Sequence, residues 1–472
     1  MMNNQMALKV EVYQKENVKP LYPTPESLST YKLSLLDQIA GTFYMPIVFF
    51  YAHSAASPPH DYDRLKLSLS KALSLCYPLA GRQKDEFTVV CNDAGADFSR
   101  ANVTNCDLPE VLRHPRLDLL RQLFPLDPYP TDFDPSQPLL AVQVNRFRCG
   151  GTAVAICLWH ALADGSGLLG LLQTWSRFNR GEGPAAATAN HHDGNFVVDP
   201  TLIFSPGNFD IPALISSEVA RQRHVSETYI GKRFVFSKKE IESIKDEMQK
   251  IPSSDSRRPT RVEALSAFIW AAVIRATLRV TPNLKTHVLT NAVDLRRRMD
   301  PPFPPTCLGN INQITAAIWA ADGRPGAITA KSLIGSVREA IMKVNDGYVR
   351  KMHEGGGYIR AIMEARKEDP SVSNNKGEEA EKRFLCISTW FKFECLKVDF
   401  GWGKPKWLGP GNNLGDLALL LDAEDGGIEA WVGLPRPIMN HLDQDVDFTS
   451  RVAFSQIIWN PSKLPQLLPS RL

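Results

Sequence analysis

Little in this chain is concentrated in one place. Lysine and arginine number 54 against 51 aspartates and glutamates, a formal net charge of +3 over 472 residues. A balance that even, and that dispersed, argues against the basic stripe of a nucleic-acid binder. No run of about 18 apolar residues occurs, so no segment reads as a membrane span. The eight cysteines form no C-x-x-C pair, which makes a zinc ribbon or a thioredoxin-type site a poor fit. Nothing repeats at solenoid or propeller spacing. A G-x-S-x-G nucleophile elbow is missing too; Gly165-Ser166-Gly167 comes close, but its spacing is wrong. Residues 1–13 are polar and lack the apolar core of a signal peptide, and residues 467–472 carry no cysteine for prenylation. The resulting expectation is a cytosolic protein whose cysteines are mostly buried free thiols in a reducing compartment.

What is present is a mixed, globular pattern. The length suits two domains of roughly 200 residues each, and 43% hydrophobic with 22% charged residues is ordinary for a packed chain. Two stretches, 181–195 and 366–382, are poor in large apolar residues and read as linkers or exposed loops. Apolar residues recur at helical spacing over 64–76, where Leu65, Leu69, Ala72, Leu73 and Cys76 share a face and Pro78 stops the helix. Residues 87–91 read as a strand. Residues 140–147 and 152–159 read as a hairpin turned at Cys149-Gly150-Gly151. Later, 263–276 reads as a buried helix, and 286–293, 315–319 and 427–432 as strands. Helices and strands interleave throughout, which predicts an α/β class.

The most informative segment is Leu158-Trp159-His160-Ala161-Leu162-Ala163-Asp164-Gly165. An apolar strand ends in a histidine, and an aspartate then precedes a glycine and a new helix with Leu168, Leu169, Leu172 and Trp175 on one side. A strand end presents a side chain from a rigid element, and histidine has a pKa suited to base work near neutral pH. Asp164 is placed to cap the helix or to hold a cation. Strand alternation puts Trp159 on the opposite face from His160, as core packing. Far along the chain, Asp399-Phe400-Gly401-Trp402-Gly403 predicts a tight loop anchored by aromatic rings.

H-x-x-x-D-G followed by D-F-G-W-G resembles the plant BAHD acyltransferases. The likeness extends along the chain through Leu33-Ser34-Leu35-Leu36-Asp37, Tyr77-Pro78-Leu79-Ala80-Gly81-Arg82, and Val293-Asp294-Leu295-Arg296-Arg297-Arg298-Met299 with Pro301-Pro302 and Gly309-Asn310. It is most similar to the alkaloid and terpenoid O-acetyltransferase subgroup that includes vinorine synthase. The resemblance implies two chloramphenicol-acetyltransferase-like domains with a solvent channel between them. In this sequence these would be residues 1–205, carrying the histidine motif, and 231–472, carrying the D-F-G-W-G motif, joined by a crossover at 206–230. It implies His160 as general base. Asp164, paired with Arg296, would support the site, as would Asp399, Gly401, Trp402 and Gly403. Thr260, Ser388, Thr389 and Trp390 would lie along the acyl-CoA side.

The implied reaction moves an acyl group, acetyl in this subgroup, from coenzyme A to an alcohol of a specialised metabolite. It needs no metal and no permanently bound cofactor. Malonyl-, tigloyl- or benzoyl-CoA are alternative donors, an amine is an alternative acceptor, and a non-catalytic ligand-binding relative is the alternative of a different class. No nucleic-acid or membrane partner is expected, and a monomer is. The chain departs from the subgroup at Asp294, where asparagine is usual, and at Trp159, where smaller residues are common.

Overall fold

The computed structural model describes residues 7–53, 61–130, 134–183, 197–206, 228–249, 257–305, 307–321, 328–367, 382–390, 395–411, 415–423 and 425–460. Most of 181–195 and 366–382, and most of the crossover, lie outside the described residues. The chain divides into two compact units. The first comprises Met1–Ala220, Pro301–Asn312 and Lys392–Asn412; the second comprises Arg221–Asp300, Gln313–Phe391 and Asn413–Leu472.

The first unit contains β1 (Val10–Val18), β2 (Thr30–Lys32), β3 (Tyr44–Tyr51), β4 (Arg82–Gln83), β5 (Thr88–Val90), β6 (Ala96–Val103), β7 (Leu140–Phe147) and β8 (Thr152–Trp159), with β13 (Trp407–Pro410) from late in the chain. Six of these form a sheet in the order β1-β6-β7-β8-β3-β13, and β2-β5-β4 form a small second sheet. Its helices are α1 (Leu35–Ala40), α2 (Tyr62–Leu75), α3 (Leu108–Arg113), α4 (Leu117–Leu120) and α5 (Gly165–Asn179). β3 and β8 are buried at every position. Apolar runs without alternation belong at the centre of a sheet covered on both faces. In β7, Gln143 and Asn145 are buried as well; both donate to the Leu123 carbonyl, at 3.1 and 2.9 Å, so neither is left unsatisfied.

The second unit holds β9 (Tyr229–Phe236), β10 (Thr286–Asp294), β11 (Asn312–Ala320), β12 (Lys382–Thr389), β14 (Leu417–Asp422), β15 (Ile428–Pro435) and β16 (Phe454–Trp459). They form one sheet in the order β11-β10-β12-β14-β15-β9-β16. Strands β10, β12 and β14 run parallel to one another; β14, β15, β9 and β16 pair antiparallel. Helix Arg261–Val280 supplies Ala264, Leu265, Ile269, Trp270 and Ile274 to the core of this unit.

The expectation of one continuous C-terminal domain over 231–472 is corrected by this division. Residues 392–412 belong with the first unit because β13 pairs with β3, Trp407 opposite Phe50, and because Phe400 packs on Trp175 and Tyr51. The D-F-G-W-G loop therefore sits in the same unit as His160. The second unit begins at Arg221, inside the expected crossover. The cysteine expectation also needs an amendment. Five of the eight are buried, but Cys106 and Cys386 are half-buried and Cys149, in the β7–β8 turn, is exposed. All eight are free thiols. Of the basic run, Arg296 is fully buried, Arg298 is half-buried and donates to the carbonyls of Ile341 and Val344, and Arg297 is exposed.

Buried histidine is expected to make the second unit acid-sensitive. His287 on β10 lies beneath the Trp319 ring, 2% exposed. Burial, assisted by the neighbouring Arg383 guanidinium, pushes its pKa down to about 4. A histidine whose folded pKa lies below its unfolded value near 6.5 costs nothing above pH 6.5 and destabilises the fold as pH falls toward 4. The full shift corresponds to roughly 3 kcal/mol. Urea unfolding between pH 7 and pH 4 is expected to show this loss, and His287→Gln to reduce it, leaving the share of His353, whose pKa burial also lowers to about 4; an equal slope in the variant would remove His287 from the acid response.

Candidate functional site

The site is built where β3 and β8 leave the sheet. The register pairs Tyr44 with Trp159, so the next residues outward are Phe43 and His160. Trp159 turns into the core as expected: it is 2% exposed, lies edge-on to Tyr44 at 4.9 Å, and donates its indole N–H to Gln83. His160 faces the other way and is half-buried. Both of its main-chain polar groups are held. Its N–H donates to the Phe43 carbonyl at 2.9 Å, and its carbonyl accepts from Asn310 Nδ2 at 2.7 Å. The imidazole meets the Phe43 ring edge-to-face at 5.0 Å, and Nδ1 is shielded from solvent without a hydrogen-bond partner among the described residues. Burial pulls the His160 pKa below the ordinary histidine value; its own carbonyl, Asp164 and Asn310 oppose the shift without reversing it. Burial therefore favours the neutral imidazole, the state in which it can accept a proton.

Asp164 serves the backbone. It is the N-cap of α5, and its Oδ1 accepts from Ser166 N at 3.1 Å and Gly167 N at 3.0 Å. Its Oδ2 accepts from Ile311 N at 3.2 Å and Asn312 Nδ2 at 3.3 Å. A carboxylate at a helix N-terminus satisfies orphan N–H groups and meets the positive end of the helix dipole. Ala163 and Gly309 complete this junction as an isolated β-bridge.

Asp37 closes the Leu33–Asp37 element of the sequence, which by itself gave it no role. It is fully buried at the start of α1. Its Oδ1 accepts from both Asn310 N, at 2.6 Å, and Asn310 Nδ2, at 3.0 Å. Its Oδ2 accepts from Ser34 N and Ser34 Oγ, at 3.0 and 2.8 Å. Burial raises its pKa, and those four donors work against the rise. The same Asn310 amide that Asp37 anchors also holds the His160 carbonyl, so one side chain joins α1 to the histidine. The S-x-x-D capping box was readable in the sequence; its tie to residue 310 was not.

The D-F-G-W-G loop lies at the far end of α5 from His160. Asp399 Oδ1 accepts from Gly401 N at 2.7 Å and Gly403 N at 2.9 Å, closing a turn in which both glycines have positive φ, 90° and 87°. Side chains with a Cβ rarely adopt that backbone. Phe400 and Trp402 pack around Tyr51, while Asn179 Nδ2 donates to the Phe400 carbonyl at 2.6 Å and Arg180 to that of Asp399. The loop thus clamps the C-terminal end of the helix whose N-terminal end Asp164 caps.

The remaining expected residues lie in the second unit. Thr260 caps helix Arg261–Val280, exchanging hydrogen bonds with Glu263 in a capping box, and is exposed. Ser388 and Thr389 end β12, half-buried, and Trp390 N donates to the Leu420 carbonyl at 2.8 Å. Arg261 pairs with Asp422 at 3.5 Å, so the Thr260 cap and Trp390 share the C-terminal end of β14. Asp294, the unusual residue, has a local use: its Oδ1 accepts from Arg296 N and lies 3.1 Å from the Arg296 guanidinium. Among the described residues, no group of three or more His, Cys, Asp or Glu is placed to hold a metal, and no helix is long and apolar enough to cross a membrane.

Against this geometry the chain matches the Transferase family model over residues 8–449. It belongs to that family, the BAHD acyltransferases. This acyltransferase is 35% identical to a limonoid 1-O-acetyltransferase of Citrus sinensis over 93% of this chain and 97% of the relative. Among solved structures it resembles vinorine synthase, with 29% identity, a TM-score of 0.75, and coverage of 94% of this chain and 98% of the other. The F. sporotrichioides TRI101 structure, complexed with coenzyme A and T-2, shares the fold at 18% identity and a TM-score of 0.69, covering 91% of this chain and all of the other. The mixed α/β, two-unit architecture is that of the family. The protein is an acyltransferase of a family that takes an acyl-CoA donor and a small-molecule acceptor.

Proposed function

We propose that this enzyme transfers acetyl from acetyl-CoA to a hydroxyl of a plant specialised metabolite, an alkaloid or terpenoid alcohol, with His160 as general base. The observation that carries the reading is the half-buried imidazole of His160 at the end of β8, fixed at both of its main-chain groups. The acetyl and alcohol assignments draw support from relatives named O-acetyltransferases.

A thioester is already activated, so the alcohol is the partner that needs help. His160 takes the hydroxyl proton as the oxygen attacks the thioester carbon, a contribution of roughly 10²–10⁴-fold. The tetrahedral oxyanion takes a hydrogen bond from Thr389 or the Trp390 indole. The carbon–sulfur bond then breaks, and the thiolate receives the proton from His160. Ser388 and Thr260 complete the acyl-CoA side. Asp164, Asp399, Gly401, Trp402 and Gly403 act by holding the framework, with Arg296 as the expected partner of Asp164. The enzyme acts in the cytosol as a monomer.

A screen of acetyl-, malonyl-, tigloyl- and benzoyl-CoA against alkaloid and terpenoid alcohols, read by mass spectrometry, tests it. Acetyl ester formation is the expected result. Faster transfer from another donor would replace the acetyl assignment. Tight acceptor binding with no transfer from any donor would overturn the catalytic reading.

A further inference from the structure

Phe43 has no role in the mechanism above, yet its ring packs directly against the His160 imidazole. Antiparallel pairing of β3 with β8 sets the two residues side by side just beyond the Tyr44–Trp159 pair. The main-chain bond from His160 N–H to the Phe43 carbonyl, at 2.9 Å, ties their backbones. The rings meet edge-to-face, 5.0 Å apart at 61°. On its other side Phe43 leans on the buried Tyr129 ring at 5.7 Å. Phe43 and His160 are both half-buried, so neither residue is wholly enclosed.

Two consequences follow from that placement. The edge-to-face pair holds the aromatic ring of Phe43 against the imidazole. The Phe43 ring beside His160 offers apolar surface to the carbon skeleton of an alcohol that gives its proton there. Pockets of this kind bind through apolar and aromatic walls, with a few polar groups setting orientation.

We propose that Phe43 is a specificity-determining residue: its ring, packed on His160, forms the apolar wall that selects ring-bearing, apolar alcohols over small hydrophilic ones. The inference rests on His160 being the base.

The test uses the full-length enzyme with the donor the wild type prefers and two acceptors, a bicyclic terpene alcohol and a small diol. For Phe43→Ala, kcat/KM toward the bicyclic alcohol is expected to fall about 10–100-fold. The loss toward the diol should stay within about threefold, and KM for the acyl-CoA within about twofold. Phe43→Tyr, which keeps the ring, should recover most of the loss. Phe43→Leu keeps bulk without the aromatic edge and serves if the alanine variant fails to fold, with the same direction expected; the melting temperature of each variant is measured alongside. Equal losses on both acceptors, unchanged discrimination, or no recovery by tyrosine would overturn the proposal. Absence of transfer by the wild type itself overturns the functional reading instead, and is seen before any substitution is made.

Discussion

Replacing His160 with alanine is expected to lower the rate of acyl transfer by roughly 10²–10⁴-fold while leaving the protein folded. The two halves of that statement have separate grounds. The rate falls because the alcohol then keeps its proton at the moment of attack; what survives comes from holding two substrates in register. The fold survives because the groups that anchor this residue are main-chain groups, and alanine retains them: the N–H on the Phe43 carbonyl and the carbonyl under Asn310. The imidazole loses no hydrogen bond at Nδ1, since it makes none among the described residues. Initial rates of coenzyme A thiol release, with thermal unfolding run in parallel, measure both. A variant within about threefold of the wild-type rate would remove His160 from the chemistry.

The opposite pattern is expected at Asp37. Asp37→Ala strands four donors, the N–H and Nδ2 of Asn310 and the N–H and hydroxyl of Ser34, where no water reaches. A buried donor left unpaired costs about 1–3 kcal/mol, and partial relaxation puts the total at roughly 3–5 kcal/mol. That is a large part of the stability of an ordinary domain. Asp37→Asn keeps one acceptor oxygen but turns an NH₂ toward two of those donors, so its loss should be smaller yet still evident. Urea unfolding gives both values. An Asp37→Ala protein within about 1 kcal/mol of the wild type would mean that the network carries no load. Because Asn310 also holds the His160 carbonyl, Asp37→Asn should lower kcat more than it raises KM for either substrate.

The sequence was most readable where structure is local. Helical spacing over 64–76 became α2, the apolar runs at 140–147 and 152–159 became β7 and β8, and the acid at 164 became a helix cap. The aromatic loop at 399–403 was also legible, because its glycines and its aspartate act on one another within five residues. What escaped depends on meetings between distant parts. Asp37 and Asn310 are 273 positions apart, and nothing in either stretch announces the other. Phe43 was invisible for a related reason: a phenylalanine at the head of an apolar strand looks like core until the register of β3 against β8 is known. The continuous second domain failed on the same ground, since β13 finds its partner in β3 rather than among its sequence neighbours.

The return of residues 301–312 to the first unit has a consequence in time. Asn310 follows His160 by 150 positions, and a ribosome adds about 5–20 residues per second, so the interval is on the order of 10 s. Throughout it Asp37 has Ser34 but not Asn310, and the His160 carbonyl has no amide beneath it. A nascent chain ending before Pro301 thus exposes a sheet with a charged, half-satisfied hole at its working end. Binding competence can arrive only after the strands have been made, and the last pieces to emerge are those that close the hole and clamp α5.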